Sequence, residues 1–444
     1  MRSHRLLVAT ASALLVPAVV GSAAEAEDWD RLVRRLGAAT LADREAAERQ
    51  LEAAGVAALP TVVAARATAV GEAAFRLEWI QREFERRAAL AAVEPAVVTL
   101  VARELPVRAA LAELFARSGS RIELAPEVRD GVAGSREVTL ALDRLTFWEA
   151  VDEILDAAGL ALECDTGPPP AAAAALRITA GGDRADGPHV ATGPVRVAVA
   201  DVEPAGRGAR VTLRLAFEPR LEPLLVRLPA RSIVAEGPAG EAMPAAQRAA
   251  VVEATVPRGR RWLDLPVRLS ASAVPLESLA MLRGTLEIWL AGLDHGFRFP
   301  GVRPQVGALP PPQRVAAAEV RLLECAAAGD RLSVRASITY DAPSEALASH
   351  HTWLASRPLE AFAADDGAAG GPRRAARRLE PIEQRVEVRS DRGLTAAASF
   401  ALPRGGAGGH VQEVEIVWTL PTAIHQVPVD FAILGVPLPP SHPP

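Results

Sequence analysis

Lysine is absent from this chain: all 49 basic residues are arginine. Together with abundant Ala, Gly and Pro, that bias marks a GC-rich coding sequence, so the arginine count carries no functional message by itself. The formal net charge is only −5, and no basic block is interleaved with aromatics. This argues against a nucleic-acid-binding protein, because neutralising phosphates takes clustered cations. Aromatics are scarce, with one Tyr and seven Trp, and there are two cysteines, Cys164 and Cys325. No C-x-x-C occurs, which excludes a structural zinc site of the usual spacing. The two thiols can pair outside the cytoplasm or stay buried and separate, and the sequence leaves both open. Also missing are G-x-S-x-G, S-x-x-K, a Walker A loop, a dinucleotide fingerprint and H-E-x-x-H. Scattered triads need no motif, so these absences narrow catalysis without abolishing it.

The long apolar runs are missing as well, with one exception at the start. Arg2, His4 and Arg5 precede "LLVATASALLVPAVV" (Leu6 to Val20), a run too short to span a bilayer comfortably and broken by Pro17. Small residues follow at Ala24 and Ala26. The pattern predicts a signal peptide over 1–26 with cleavage after Ala26, the alternative being an uncleaved anchor. No Cys follows the run, which argues against a lipoprotein. The expected location is periplasmic or secreted, with no integral membrane segment after cleavage.

At 444 residues the chain is long enough for about three or four domains. Residues 27–92 read as helices. Leu32, Leu36, Ala47 and Leu51 recur at helical spacing, Gly55 suits a helix stop and Pro60 a helix start. A third segment, Glu72 to Arg87, places Phe75, Trp79, Ile80 and Phe84 on one stripe, with Arg76, Glu83 and Glu85 elsewhere. "ADREAAERQLEAAGVAALPTVVAA" resembles one HEAT-like helical repeat. A lone repeat buries its own face poorly and requires a neighbour, in this chain or another.

Residues 95–180 write one pattern twice at a shift of forty. Leu105 meets Leu145, Val107 meets Phe147, Leu111 meets Val151, Leu114 meets Ile154, Gly119 meets Gly159 and Ile122 meets Leu162. Each copy is an alternating strand, a helix, a Gly stop and another strand. Thr146 and Glu149 form a T-x-x-E capping box. Phe147, Trp148, Val151, Ile154 and Leu155 share one helix face. The matched positions are apolar, so the repetition is architectural: two β-α-β units whose helices cover one face of a shared sheet. The stretches "LPVRAALAELFARSGSRIELAPEV", "REVTLALDRLTFWEAVDEILDAAGLALE" and "LRITAGG" resemble the STN domain, the short N-terminal domain of secretins and TonB-dependent receptors. The resemblance covers about a fifth of the chain and implies an extracytoplasmic domain that makes protein contacts through sheet edges. The long β-barrel region of those proteins has no counterpart in this sequence, so neither secretion nor uptake is carried over.

A Pro/Ala insert, "CDTGPPPAAAAA", precedes the last strand of that domain, and 181–194 reads as a linker. From Val195 the pattern alternates with period two. "VRVAVADVEPAGRGARVTLRLAFEP" is echoed by "VAAAEVRLLECAAAGDRLSVRASITYD", and "GTLEIWLAGLDHGFRFPGV" by "VQEVEIVWTLPTAIHQVPVDFAILGVPLP". Trp289 and Trp418 occupy matching late strands, and Phe299 and Phe431 matching last strands. The expected fold is multidomain α+β: a short helical segment, an STN-like βαβ-βαβ domain over 95–180, and two all-β Ig-like sandwiches over 195–304 and 314–437. A linker over 305–313 separates the sandwiches, "ADDGAAGGPRRAARR" is a polar loop in the second, and 438–444 is a disordered tail.

Few residues offer chemistry. His350 and His351 are adjacent and point apart in a strand, which makes a poor chelating pair. His410 and His425 share a domain with them and can approach; polar loop residues flanking a packed Trp353 are the favoured reading. "GGDRADG" (Gly181 to Gly187) resembles a calcium turn, but a lone copy reads first as a linker. Asp152, Glu153 and Asp156 lie opposite the helix stripe, a solvated face first and acid/base groups only in a cleft. No catalytic, cofactor-binding or metal-binding residue is assigned, and no cofactor. The reading is a non-catalytic binding or scaffold protein of the bacterial envelope whose partner is another envelope protein of unknown identity. Three alternatives stand beside it. A carbohydrate- or polymer-binding protein calls for exposed rings such as Trp262 or Trp353. An enzyme with a scattered site calls for His350 or His425 in a pocket beside a carboxylate. A shortened secretion component calls for ring assembly.

Overall fold

The computed structural model describes residues 23–164, 176–181, 187–205, 208–270, 277–304, 308–348, 353–363, 377–402 and 413–438. The chain is multidomain and α+β, with strand outweighing helix. It divides into two compact units. The first comprises residues up to Ala92, Ala291–His350 and Arg357–Ile424; the second comprises Val93–Leu290, His351–Ser356 and His425–Pro444.

The first unit opens with four helices, α1 (Ala23–Arg35), α2 (Leu41–Ala54), α3 (Leu59–Arg66) and α4 (Gly71–Ala91). The Thr40 hydroxyl oxygen caps α2 by accepting from the Asp43 N–H at 3.2 Å. Gly55 follows the helix with a positive φ, and Pro60 sits in the first turn of α3. Leu36, Leu51, Leu59, Val62, Ile80 and Phe84 close a small helical core. The expected single stripe on α4 is wrong in part. Ile80 and Phe84 are buried, but Phe75 and Trp79 are 69% and 44% exposed, while Glu85 is only 3% exposed. Helix geometry explains the split: at about 100° per residue, Phe75 and Phe84 stand half a turn apart.

The second unit opens with the repeated segment: β1 (Val97–Pro106), α5 (Val107–Ser118), β2 (Glu123–Leu124), the single turns α6 (Pro126–Arg129) and α7 (Val132–Ser135), β3 (Glu137–Thr146), α8 (Phe147–Ala158), β4 (Leu160–Cys164) and β5 (Leu176–Ala180). The strands do not share one sheet. β1 and β3 pair antiparallel as a two-stranded ribbon, and β2, β5 and β4 form a separate three-stranded sheet. The apolar stripes of α5 and α8 join residues from both sheets in one core.

The forty-residue shift appears as a local two-fold relation. Val101 lies opposite Ala141, its own repeat equivalent. Each strand carries a bulge with a left-handed residue, Glu104 at φ 48 and Arg144 at φ 53. The Glu104 N–H donates to Thr139 Oγ1 at 3.2 Å and the Arg144 N–H to Thr99 Oγ1 at 3.1 Å. The Val107 N–H reaches the Arg136 carbonyl at 2.8 Å, and the Phe147 N–H reaches the Ala96 carbonyl at 3.0 Å. Both helices stop at a left-handed glycine, Gly119 and Gly159. Each copy completes the hydrogen bonds of the other, which is why neither β-α-β unit is built to stand alone.

The remaining strands are β6 (His189–Thr192), β7 (Val195–Ala205), β8 (Gly208–Phe217), β9 (Glu222–Pro229), β10 (Val234–Glu236), β11 (Val251–Thr255), β12 (Trp262–Leu269) and β13 (Ser278–Ala291). After them come β14 (Asp294–Val302), β15 (Gln313–Val315), β16 (Ala318–Ala328), β17 (Arg331–Tyr340), the short α9 (Glu345–Ala348), β18 (Leu359–Ala363), β19 (Arg377–Arg378), β20 (Glu380–Arg389), β21 (Gly393–Ala401), β22 (Val414–Pro421) and β23 (Ile424–Pro437). In the second unit, the sheet β12-β8-β7-β6 faces β10-β13-β9-β11. Its edge strand β6 falls inside the segment read as a linker. In the first unit the sheets are β14-β22-β18-β19 and β15-β16-β17-β21-β20.

The closing strands are exchanged between the sandwiches. β14 follows β13 in sequence but pairs with β22, placing Phe299 opposite Ile416. β23 follows β22 but pairs with β13, and Val429, Phe431, Ile433 and Val436 complete the core of the other sandwich. Each sandwich is therefore closed by the strand expected to close its sibling.

Candidate functional site

α4 has three faces, set by its sequence. Leu77, Ile80 and Phe84 face the helical core. On a second face the Glu85 carboxylate accepts from the Ala316 N–H at 2.7 Å and from Gln81 at 2.7 Å. Ala89 lies on the same side, and a Cβ added at Gly292 would come 3.0 Å from its own Cβ. Within the first unit α4 thus packs against the β15–β16 turn and the residues between β13 and β14. Burial raises the Glu85 pKa, with the Gln81 and Ala316 donors opposing.

The third face stays open. Glu72, Phe75, Arg76, Trp79, Glu83 and Arg86 recur at helical spacing along it. Of seven Trp and ten Phe, Phe75 and Trp79 are the exposed ones. Glu48, Glu72, Phe75, Arg76 and Trp79 line a cleft of about 340 Å³. Trp79 also lines a second cleft of about 210 Å³ with Arg82, Arg86, Arg314 and Asp341. Ion pairs hold this face to α2: Arg76 bonds Glu72 at 2.7 Å and also reaches Glu48, and Arg44 meets Glu72 at 3.2 Å. The Arg76 hydrogen bond lowers the Glu72 pKa. The outcome is a pair of rings framed by locally neutralised charges, a composition enriched at protein-binding hot spots.

The polar groups in the second unit serve a different purpose. Asp152 is not on a solvated face. It accepts from Arg196 Nε at 2.8 Å and lies 3.7 Å from His189 Nε2, while Glu153 and Asp156 remain exposed. Burial raises its pKa, and Arg196 and His189 pull the other way. Glu218 is fully buried and accepts from the Ala96 N–H at 3.0 Å, from Ser120 Oγ at 3.2 Å and from Arg220. Trp262 joins the core of the repeated segment, with Arg260 and Arg214 at 4.6 and 4.9 Å from its ring centre. These groups tie the repeated segment to the sandwich that follows it, a structural use of charge.

Trp262 and Trp353 are buried, at 4% and 3% exposure, so neither offers a sugar platform. His350, His351 and His410 lie outside the described residues, as do residues 182–186 of the glycine-rich turn. His425 is half-buried; burial lowers its pKa, and its Nε2 has no hydrogen-bond partner among the described residues. No group of three or more His, Cys, Asp or Glu is placed to hold a metal among the described residues. Cys164 and Cys325 lie in different units and are not disulfide-bonded. No helix of the described residues is long and apolar enough to cross a membrane. Compared with known proteins, the sequence matches no family model and no curated protein.

Proposed function

We propose that the protein is a non-catalytic, extracytoplasmic binding or scaffold protein of the bacterial envelope, and that it takes its partner, another envelope protein, on the Phe75–Trp79 face of α4. The observation that carries this reading is the exposure of those two rings in a chain that buries or half-buries its other tryptophans and phenylalanines. Export is inferred from the basic, apolar and small-residue pattern over 1–26. Within this reading residues 27–92 are a HEAT-like segment, 95–180 an STN-like domain, and the β-rich remainder two Ig-like sandwiches. The doubled, mutually capped β-α-β pattern supports the second assignment, and paired antiparallel sheets around apolar cores support the third.

The test is cross-linked capture from an envelope fraction, using the mature chain and a Phe75→Ala/Trp79→Ala variant. Loss of a hot-spot ring typically costs about 2 kcal/mol or more, roughly thirtyfold in affinity. The proposal expects a partner held by the mature chain and released from the variant. Equal capture by both would refute this face as the contact. A glycan-array signal that disappears with Trp79 would move the reading to polymer binding.

A further inference from the structure

We propose that the sandwich of the second unit binds a small carboxylate with a short aliphatic tail, at a site where Arg210 and Arg268 join two clefts. Arg210 on β8 and Arg268 on β12 lie directly opposite one another in the antiparallel register. Like charges in that position repel, and a sheet gains nothing from them by pairing alone. On the third strand of the row, Glu203 is opposite Arg210 and meets it at 3.4 Å. Glu203 thus answers Arg210, while Arg268 is exposed and no carboxylate among the described residues pairs with it.

The space beside it defines the rest of the ligand. A cleft of about 280 Å³ is bordered by both arginines and floored by Leu228, Ile233 and Val267, which belong to the sandwich core. A second cleft of about 440 Å³ continues past the same two arginines along Glu203, Ala246 and Leu269. The Ala246 N–H is already spent on the Arg268 carbonyl at 2.9 Å, so the segment from Ala245 to Ala250 forms a fixed wall. Apolar side chains dominate the first cleft, with Gln247 as its remaining polar member. At about 30 Å³ per water it holds the equivalent of about nine waters, room for a tail of roughly six to eight carbons. Two guanidinium forks beside an apolar slot match a single carboxylate carrying such a tail. A free fatty acid and the C-terminus of a peptide ending in an apolar residue share that chemistry.

The mature chain is titrated calorimetrically with octanoate, octanol and acetate, and with an N-acetyl peptide ending in leucine as its acid and its amide. Arg268→Gln and Arg210→Gln variants are run in parallel, with circular dichroism to confirm folding. The expected result is saturable binding of one carboxylate per chain. Octanol, acetate and the peptide amide should bind about tenfold or more weakly, and each Arg variant should lose about tenfold, the worth of a charge-assisted hydrogen bond. Octanoate outbinding the peptide acid assigns a free acid; the reverse assigns a chain terminus. The proposal is overturned if neither carboxylate saturates, if octanol binds as tightly as octanoate, or if the folded Arg variants bind unchanged. The Phe75→Ala/Trp79→Ala variant should bind octanoate normally, which separates this site from the partner face.

Discussion

Replacing Phe431 by Ala isolates the exchanged strand. Phe431 is near the end of the chain, yet its ring is 3% exposed in the core of the sandwich built from β6–β13. It rests on Gly284 of β13: a Cβ added there would lie 3.0 Å from two ring carbons. A buried Phe removes about 150–250 Å² from water, worth about 4–6 kcal/mol at about 25 cal/mol/Å², an upper figure for the whole side chain. Alanine keeps part of that contact, and measured Phe→Ala losses in cores run about 3–5 kcal/mol. The rigid glycine backbone beneath the ring cannot collapse into the cavity, which favours the upper half of that range. The assay is hydrogen exchange resolved by strand, with urea unfolding for the total. Protection should fall in β8, β9 and β13, which precede Phe431 by more than 130 residues, and persist in β16, β17 and β21. The companion Phe299→Ala should do the reverse and weaken β22 and β18. Loss of protection centred on β16 and β17 in the Phe431 variant would refute the exchange.

Glu85 and Cys325 give two further tests. Glu85 has a folded pKa raised by burial, so its favourable contribution is complete below the ordinary carboxylate value and is lost as pH rises through the raised one. Glu85→Gln keeps a carbonyl acceptor for the Ala316 N–H and removes that loss, so its stability relative to the parent should improve from pH 4 to pH 8 in urea titrations. Glu85→Ala should instead cost about 1–3 kcal/mol at pH 4 by orphaning a buried N–H, with the gap to the parent narrowing toward pH 8 as it does for Gln; a pH-independent gap between Gln and parent would contradict the argument. Burial pushes the Cys325 thiol up to about 12, so at pH 8 about one in ten thousand molecules carries the thiolate. Alkylation followed by mass spectrometry should modify the half-buried Cys164 first and Cys325 only on unfolding. Equal rates at both would show that Cys325 is not enclosed.

How much of this was legible in the sequence differs by level. The repeat at forty residues, the glycine stops and the capping box were all readable. Glu149 does reach back to the Thr146 N–H at 2.7 Å. These features are local, and local chemistry is written locally. The exchange of β14 and β23 was not readable, because the very likeness of the sandwiches conceals it. Trp289 matches Trp418 and Phe299 matches Phe431, so hairpin pairing and exchanged pairing bury the same alternation equally well. The splitting of the repeated segment into two sheets was hidden for a related reason: alternation shows which face of a strand is buried, not which strand lies beside it. Asp152 looked solvated because helix periodicity reports one packing partner, and the second, the sandwich carrying Arg196 and His189, lies more than thirty residues away in sequence. The open face of α4 was within reach. Phe75 and Phe84 are nine residues apart, which at about 100° each cannot place them on one stripe, and the pair was grouped by hydrophobicity instead of angle.

The central claim is that α4 presents its Phe75–Trp79 face to a partner. Arg86 is exposed and stands on the same stripe, whereas Val132 is exposed in the other unit. The most direct measurement places a photo-cross-linking amino acid at position 86 in one mature chain and at position 132 in another, then irradiates each in an envelope fraction. The account predicts a discrete adduct from position 86 that disappears when Phe75 and Trp79 are both alanine, and none from position 132. An adduct from position 132 alone, or one from position 86 that survives loss of both rings, would contradict it.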